Sequence, residues 1–140
     1  MRTFFFLIVF SSLQMNLLAQ NVGIKNTNPQ AALDVNGDII LRAGSLTLVN
    51  GQNNDINTSS AKFSFYNITG PTTVFNISGL NGGVDGRVIT LYNSTPYLMV
   101  LQHQQLSVAV NQIHTGTGVD LALRSFSSVT LRYMGLDNFW

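Results

Sequence analysis

The run Ser78–Asn93, SGLNGGVDGRVITLYN, constrains the chain more than any other. Gly79, Gly82, Gly83 and Gly86 fall within eight residues, with Asn81 and Asp85 among them. These residue types accept the positive φ that tight turns require, and glycine at this density is incompatible with a helix. Arg87–Tyr92 then supplies Val88, Ile89, Thr90, Leu91 and Tyr92, β-branched, aromatic and apolar side chains that suit a pleated surface. Asn93-Ser94-Thr95-Pro96 ends that strand, because proline cannot donate to a ladder. A phosphate-cradling loop is the competing reading of the glycines, but no Gly-Lys-Ser/Thr follows them and no amphipathic helix lends its N-terminus.

The remaining composition points the same way. Glutamate and cysteine are both absent, whereas asparagine, serine and threonine are abundant. Such a chain disfavours long helices and favours strands joined by polar turns. Without cysteine there is no disulfide framework, thiolate metal site or lipid-modified N-terminal cysteine, so stability has to come from packing.

Met1-Arg2, the apolar run Phe4–Phe10 and the small Ala19 form a secretory signal pattern, with cleavage expected after Ala19. Its apolar run is too short for a membrane span of about 20 residues. An uncleaved N-terminal anchor is the alternative. Removing the signal leaves Lys25, Arg42, Lys62, Arg87, Arg124 and Arg132 against six aspartates, a formally neutral chain with no basic cluster. That argues against a nucleic-acid footprint or a polybasic membrane patch. The expected destination is secreted or cell-surface, with the periplasm as a third compartment.

Val22–Asp38 reads VGIKNTNPQAALDVNGD. Asn28 before Pro29 is a helix-start signal good for about one turn. Asn36-Gly37 is a two-residue hairpin signal that would join Leu33-Asp34-Val35 to a return strand at 38–41. The aspartates here do not make a calcium loop, since the glycine precedes the third oxygen ligand and no glutamate closes the loop. This segment resembles one that recurs in bacteriophage tail-fibre proteins and in secreted fibre-like proteins of Bacteroidetes-type bacteria. The resemblance implies an elongated, β-rich, trimeric stalk or adhesin part.

Residues 50–60, NGQNNDINTSS, are the most polar run and read as a linker. Lys62–Ile68 and Thr72–Ile77, separated by Thr69-Gly70-Pro71, read as a second hairpin. Tyr97, Leu98, Met99, Val100 and Leu101 are apolar throughout, so both faces of their strand should be covered, by a central place in the domain or by a subunit interface, and these five are the candidate oligomer contacts. Val119, Leu121 and Leu123, then Val129, Leu131 and Tyr133, alternate with polar or small residues and predict strands with one dry face. From Phe75 to Trp140 the pattern GG…DGR…ITLYN…TGTG…SSVTLRY…W is similar to a distal module of phage-fibre-like bacterial proteins. That likeness implies a trimeric all-β structure and carries over no catalytic residues.

Chemistry-bearing groups are few. His103 and His114 are the only imidazoles. Eleven residues apart, they lack local metal-ligand spacing, although a three-fold axis could gather three copies of either around a metal or an anion. No nucleophile elbow accompanies them, which argues against a Ser-His-Asp triad, and six scattered aspartates make no glycosidase pair. The Asn57, Asn67, Asn76 and Asn93 sequons are accounted for by chance. Of the aromatic residues, only Trp140 stays open as a sugar-stacking contact, with a core anchor as the equal alternative, and His103, His114 and Trp140 are the candidate ligand contacts.

The chain therefore reads as an all-β protein: a signal peptide at 1–19, a stalk-like hairpin segment and polar linker at 20–60, and an antiparallel sandwich, barrel or prism-like domain at 61–140. Its expected role is non-enzymatic, as a structural or adhesive module of a trimeric fibre-like assembly with a cell-surface glycan or protein partner. No cofactor or metal is expected. The competing reading is a monomeric β-sandwich carbohydrate-binding module.

Overall fold

A computed structural model describes residues 22–24 and 33–140. The expected signal peptide and the Asn28-Pro29 helix start lie outside the described residues. The chain divides into two compact units, Met1–Ile40 and Leu41–Trp140.

In the first unit, β1 (Val22–Ile24) pairs in parallel with β2 (Leu33–Val35), in the register Val22–Leu33 to Ile24–Val35. This corrects the Asn36-Gly37 hairpin: residues 38–42 form no strand, and β2 takes its partner from upstream. Gly37 has φ 153° rather than the conformation of a tight two-residue hairpin.

The second unit is all-β, as composition indicated. Its strands are β3 (Ala43–Thr47), β4 (Gly51–Asn53), β5 (Ile56–Asn57), β6 (Phe65–Thr69), β7 (Phe75–Ile77), β8 (Leu80–Asn81), β9 (Val88–Asn93), β10 (Met99–Leu101), β11 (Leu121–Leu123) and β12 (Ser128–Arg132). The sheets are mixed rather than purely antiparallel. β3, β6 and β9 lie side by side in parallel, as do β4, β7 and β10, and β5 beside β8. Ala43 faces Phe65 and Phe65 faces Thr90, while Gly51 faces Phe75 and Phe75 faces Met99. Successive circuits of the chain thus lie on one another as coils, the first two running through the same sequence of three sheets and the third through the first two of them. β12 and β11 close the stack by pairing antiparallel to β9 and β10.

Two organisational readings change as a result. β6 and β7 belong to different sheets, so Lys62–Ile68 and Thr72–Ile77 are consecutive sides of one coil and not a hairpin. Residues 50–60 are not a linker: they contain β4 and β5, and Asn53, Ile56 and Thr58 are buried. Polar residues enter the interior there because their groups are paired. The Asn53 amide donates to the Val49 and Asn76 carbonyls and its oxygen accepts from the Val49 N–H, each at 3.0–3.2 Å.

The inner stacks form the core. Tyr66 lies beside Leu91 and then Val129, Phe75 beside Met99 and then Leu123, and Ile77 beside Leu101 and then Leu121. Tyr66, Phe75, Ile77, Leu91, Met99 and Leu101 are almost completely buried. Like residues from adjacent coils thereby cover one another at about 25 cal/mol per Å² of apolar area removed from water. Every buried side-chain polar atom among the described residues has a hydrogen-bond partner.

The glycine-rich turn does what its composition requires. Gly82 and Gly86 hold φ of 99° and 77°. A Cβ at Gly83 would fall on the Tyr133 ring, so a side chain there would displace a buried aromatic. Tyr133 lies on the dry side of its segment with Val129 and Leu131, as the alternation indicated. No helix among the described residues is long and apolar enough to cross a membrane.

Candidate functional site

The two histidines, far apart in sequence by local-motif standards, meet in the fold. After β10 the chain turns through Gln104 and Leu106, both with positive φ (49° and 54°), passes a single 3-10 turn at Ala109–Asn111, and returns so that His103 pairs with Ile113. That closure brings the His103 and His114 ring centroids to 5.6 Å. The left-handed residues allow the sharp return, and the Gln104 N–H donates to the Ile113 carbonyl at 3.0 Å to hold it.

The two rings are held differently. His103 Nδ1 accepts from the Thr115 N–H at 3.1 Å, which places its ring proton on Nε2. His114 stacks on Phe139, with centroids 3.6 Å apart and planes 3° from parallel. The Gln104 amide nitrogen stands 3.0 and 3.1 Å from the two His114 ring nitrogens. Because those nitrogens point in different directions, an equidistant amide sits over the ring face. His114 is thus enclosed by an amide and a phenyl ring. Burial pushes its pKa below the ordinary 6.5 and neighbouring His103 pushes it the same way, while Asp137 opposes both.

Neutral His114 is therefore the form the fold favours. Stability tied to it should be complete above pH 6.5 and decline as pH falls through the window below, because the unfolded chain binds the proton first. Melting temperature measured from pH 7.5 to 5 should fall across that window, and His114→Gln should flatten the decline.

Beside the rings opens a cleft of about 700 Å³, bounded by Gln104, Gln112, His114, Asp137, Asn138 and Phe139. Ala109 and Val110 supply its apolar side. The walls are pinned by backbone bonds: His114 N–H to the Trp140 carbonyl at 2.6 Å, Trp140 N–H to that of Gln112 at 2.9 Å, and Met134 N–H to that of Phe139 at 2.9 Å. The set offers amides, one carboxylate and one imidazole. It does not resemble a metal centre: no group of three or more His, Cys, Asp or Glu is placed to hold an ion among the described residues. His103 presents a proton-bearing Nε2 rather than a free lone pair.

Trp140 is not a ligand contact. It is 3% exposed, and its indole N–H donates to the Leu80 carbonyl at 2.7 Å. The outward aromatic pair is instead Phe65 with Tyr92, stacked at 6.2 Å on the outer face of the β3–β6–β9–β12 sheet. Alternation in β9 could not show this, since Val88, Thr90 and Tyr92 on one side compete with Ile89, Leu91 and Asn93 on the other. Among the described strand residues of that face Arg132 carries the only charge, and hydroxyls face one another across it, Thr90 to Thr130 at 2.9 Å and Thr47 to Thr69 at 3.3 Å.

The candidate oligomer contacts divide. Met99 and Leu101 are fully buried within the chain itself, between β7 and β11, and cannot meet another subunit. Tyr97 and Leu98 precede the strand and are partly exposed, and Val100 is half-buried on its outer side. The apolar run is continuous because a turn at residues 94–97 adjoins β10, which lies between β7 and β11.

Comparison of the chain with family models, with curated proteins and with solved structures returned no match.

Proposed function

We propose that this chain is an exported, non-enzymatic structural or adhesive module closing one end of a trimeric fibre-like assembly. The observation that carries this reading is the asymmetry of the coil stack. Among the described residues the edge strands at both ends have a strand partner on one side only, but β3, β4 and β5 pair in parallel with the next coil, whereas β11 and β12 pair antiparallel. A parallel stack whose last strands reverse direction suits the end of an elongated element. The outer face bearing Phe65 and Tyr92, almost without charge, is the surface through which three copies would meet.

The test is the solution mass of residues 20–140 by light scattering on a size-exclusion column. A trimer that dissociates with Tyr92→Lys is expected. A monomer at all concentrations would overturn the assembly. The second reading, a monomeric carbohydrate-binding module, draws on the same Phe65–Tyr92 pair as a stacking platform. It requires a monomeric mass and glycan binding that Tyr92→Lys abolishes.

A further inference from the structure

We infer that the cleft at the closed end of the stack is a binding site for a neutral saccharide. The inference rests on the adhesive reading above and names what the module would adhere to.

Size is the first observation. A cleft of about 700 Å³ falls within the range of about 300–1,000 Å³ occupied by small-molecule sites. Its chemistry then narrows the ligand. Gln104, Gln112 and Asn138 present amides, which both donate and accept, and Asp137 presents a carboxylate that accepts no side-chain or backbone hydrogen bond among the described residues. Vicinal hydroxyls, each donor and acceptor at once, match such a set. Lysine and arginine do not line the cleft, so an anionic ligand would meet Asp137 uncompensated. A lipid would leave the amides unpaired, at a cost of about 1–3 kcal/mol for each group so buried.

Rigidity is the second observation. Gln104 and Asn138, which both line the cleft, hold positive φ (49° and 57°). Asparagine accepts this readily and glutamine less so, and backbone of this kind persists where surrounding bonds over-determine it. Here they do, through the Gln104–Ile113 bond at 3.0 Å and the Asn138–Met134 bond at 2.8 Å. Phe139, clamped parallel to His114, adds a fixed apolar edge for the C–H side of a sugar ring. The site is thus organised before a ligand arrives, which reduces the ordering cost of binding.

The test uses residues 20–140 on an array of neutral hexose and N-acetylhexosamine oligomers, with sialylated and sulfated oligomers as the acidic arm, followed by calorimetry on the oligomer retained. Asp137→Asn should weaken binding of the neutral oligomer at least tenfold, since a hydrogen bond to a charged group contributes about 1.5–3 kcal/mol. Phe139→Ala should weaken it as well. Both variants should retain the cooperative melting of the parent, and Asp137→Asn, at an exposed position, keeps the test informative if Phe139→Ala unfolds.

Three results would overturn the inference: retention of acidic oligomers alone, retention of none, or neutral binding that survives both variants. If binding survives them but is lost with Tyr92→Lys, the cleft assignment fails while adhesion stands, its site moved to the outer sheet face. If no oligomer binds and the mass is trimeric, the saccharide is excluded and the structural role is kept.

Discussion

Replacing Trp140 with alanine is expected to destabilise the Leu41–Trp140 unit by about 3–5 kcal/mol, the range for truncating a large buried aromatic. For a unit of this size that lowers the melting temperature by on the order of 15 °C or more. The indole is 3% exposed, its ring lies edge-on to Tyr133 at a centroid distance of 5.3 Å, and its N–H satisfies the Leu80 carbonyl in the preceding coil. Alanine removes all three contributions and leaves a fully buried residue's carbonyl without a donor. Trp140→Phe separates them, keeping most of the ring contact and losing the hydrogen bond, so it should cost about 1–3 kcal/mol. Thermal melts of the three proteins check the order. A Trp140→Ala protein melting within 2 °C of the parent would mean the indole is not the anchor of the cap.

This anchoring also connects stability to the cleft. The backbone of Trp140 is bonded to Gln112 and His114, and the neighbouring Phe139 forms a cleft wall. Loosening the indole should therefore loosen the cleft. A binding loss in Trp140→Ala reports on folding, whereas one in Asp137→Asn reports on contact.

Strand content was legible in the sequence, but strand partnership was not. Val88, Ile89, Thr90, Leu91 and Tyr92 announce β9 by side-chain type, and Val129 and Leu131 announce the dry side of β12. The partner of Phe65, however, is Thr90, and that of Ile56 is Leu80. Such parallel pairs are distant along the chain, and the turn signals between them, Gly70-Pro71 among them, mark corners of a coil rather than the pairing, whereas Asn36-Gly37 carries a strong turn signal and forms no hairpin. The coils recur at 24 residues through β4, β7 and β10 and through β5 and β8, and at 22 and 25 through β3, β6 and β9, but the residue types that face one another mostly differ, so the period is not visible as sequence similarity. Little survives of a repeat beyond Ile56-Asn57 lying on Leu80-Asn81.

The candidate site was half legible for a related reason. His103 and His114 stand out as the only imidazoles, but their approach depends on left-handed Gln104 and Leu106, positions where sequence favours neither glycine nor asparagine. Asp137 and Asn138 had no signal at all. The polar run 50–60 misleads because hydrophilicity does not imply exposure. In Asn53 and Thr58 it accompanies burial, each side chain being bonded to the backbone of the next coil.

Arg87→Met is expected to cost about 2–4 kcal/mol, a large effect for a residue that is only partly buried. The guanidinium donates to the Thr58 carbonyl at 2.9 Å and hydroxyl at 3.1 Å, the Gly82 carbonyl at 2.6 Å and the Tyr66 hydroxyl at 3.3 Å. Its carbon also lies 5.7 Å from the centre of the Trp140 ring. One side chain therefore ties the first coil, the second coil and the closing segment together. All four acceptors are neutral oxygens, so the loss arises from unpaired groups and should change little between 0.05 and 0.5 M salt, as a surface ion pair would not. Arg87→Lys keeps the charge but lacks the planar fork needed to reach Thr58 and Gly82 together, and should recover less than half of the loss. Chemical denaturation of Arg87→Met, Trp140→Ala and the double variant then measures the ring–cation contact, with an expected coupling of about 0.5–2 kcal/mol. Full additivity would assign Arg87 to the coils alone, and an Arg87→Met protein within 0.5 kcal/mol of the parent would show that the coils hold together without it.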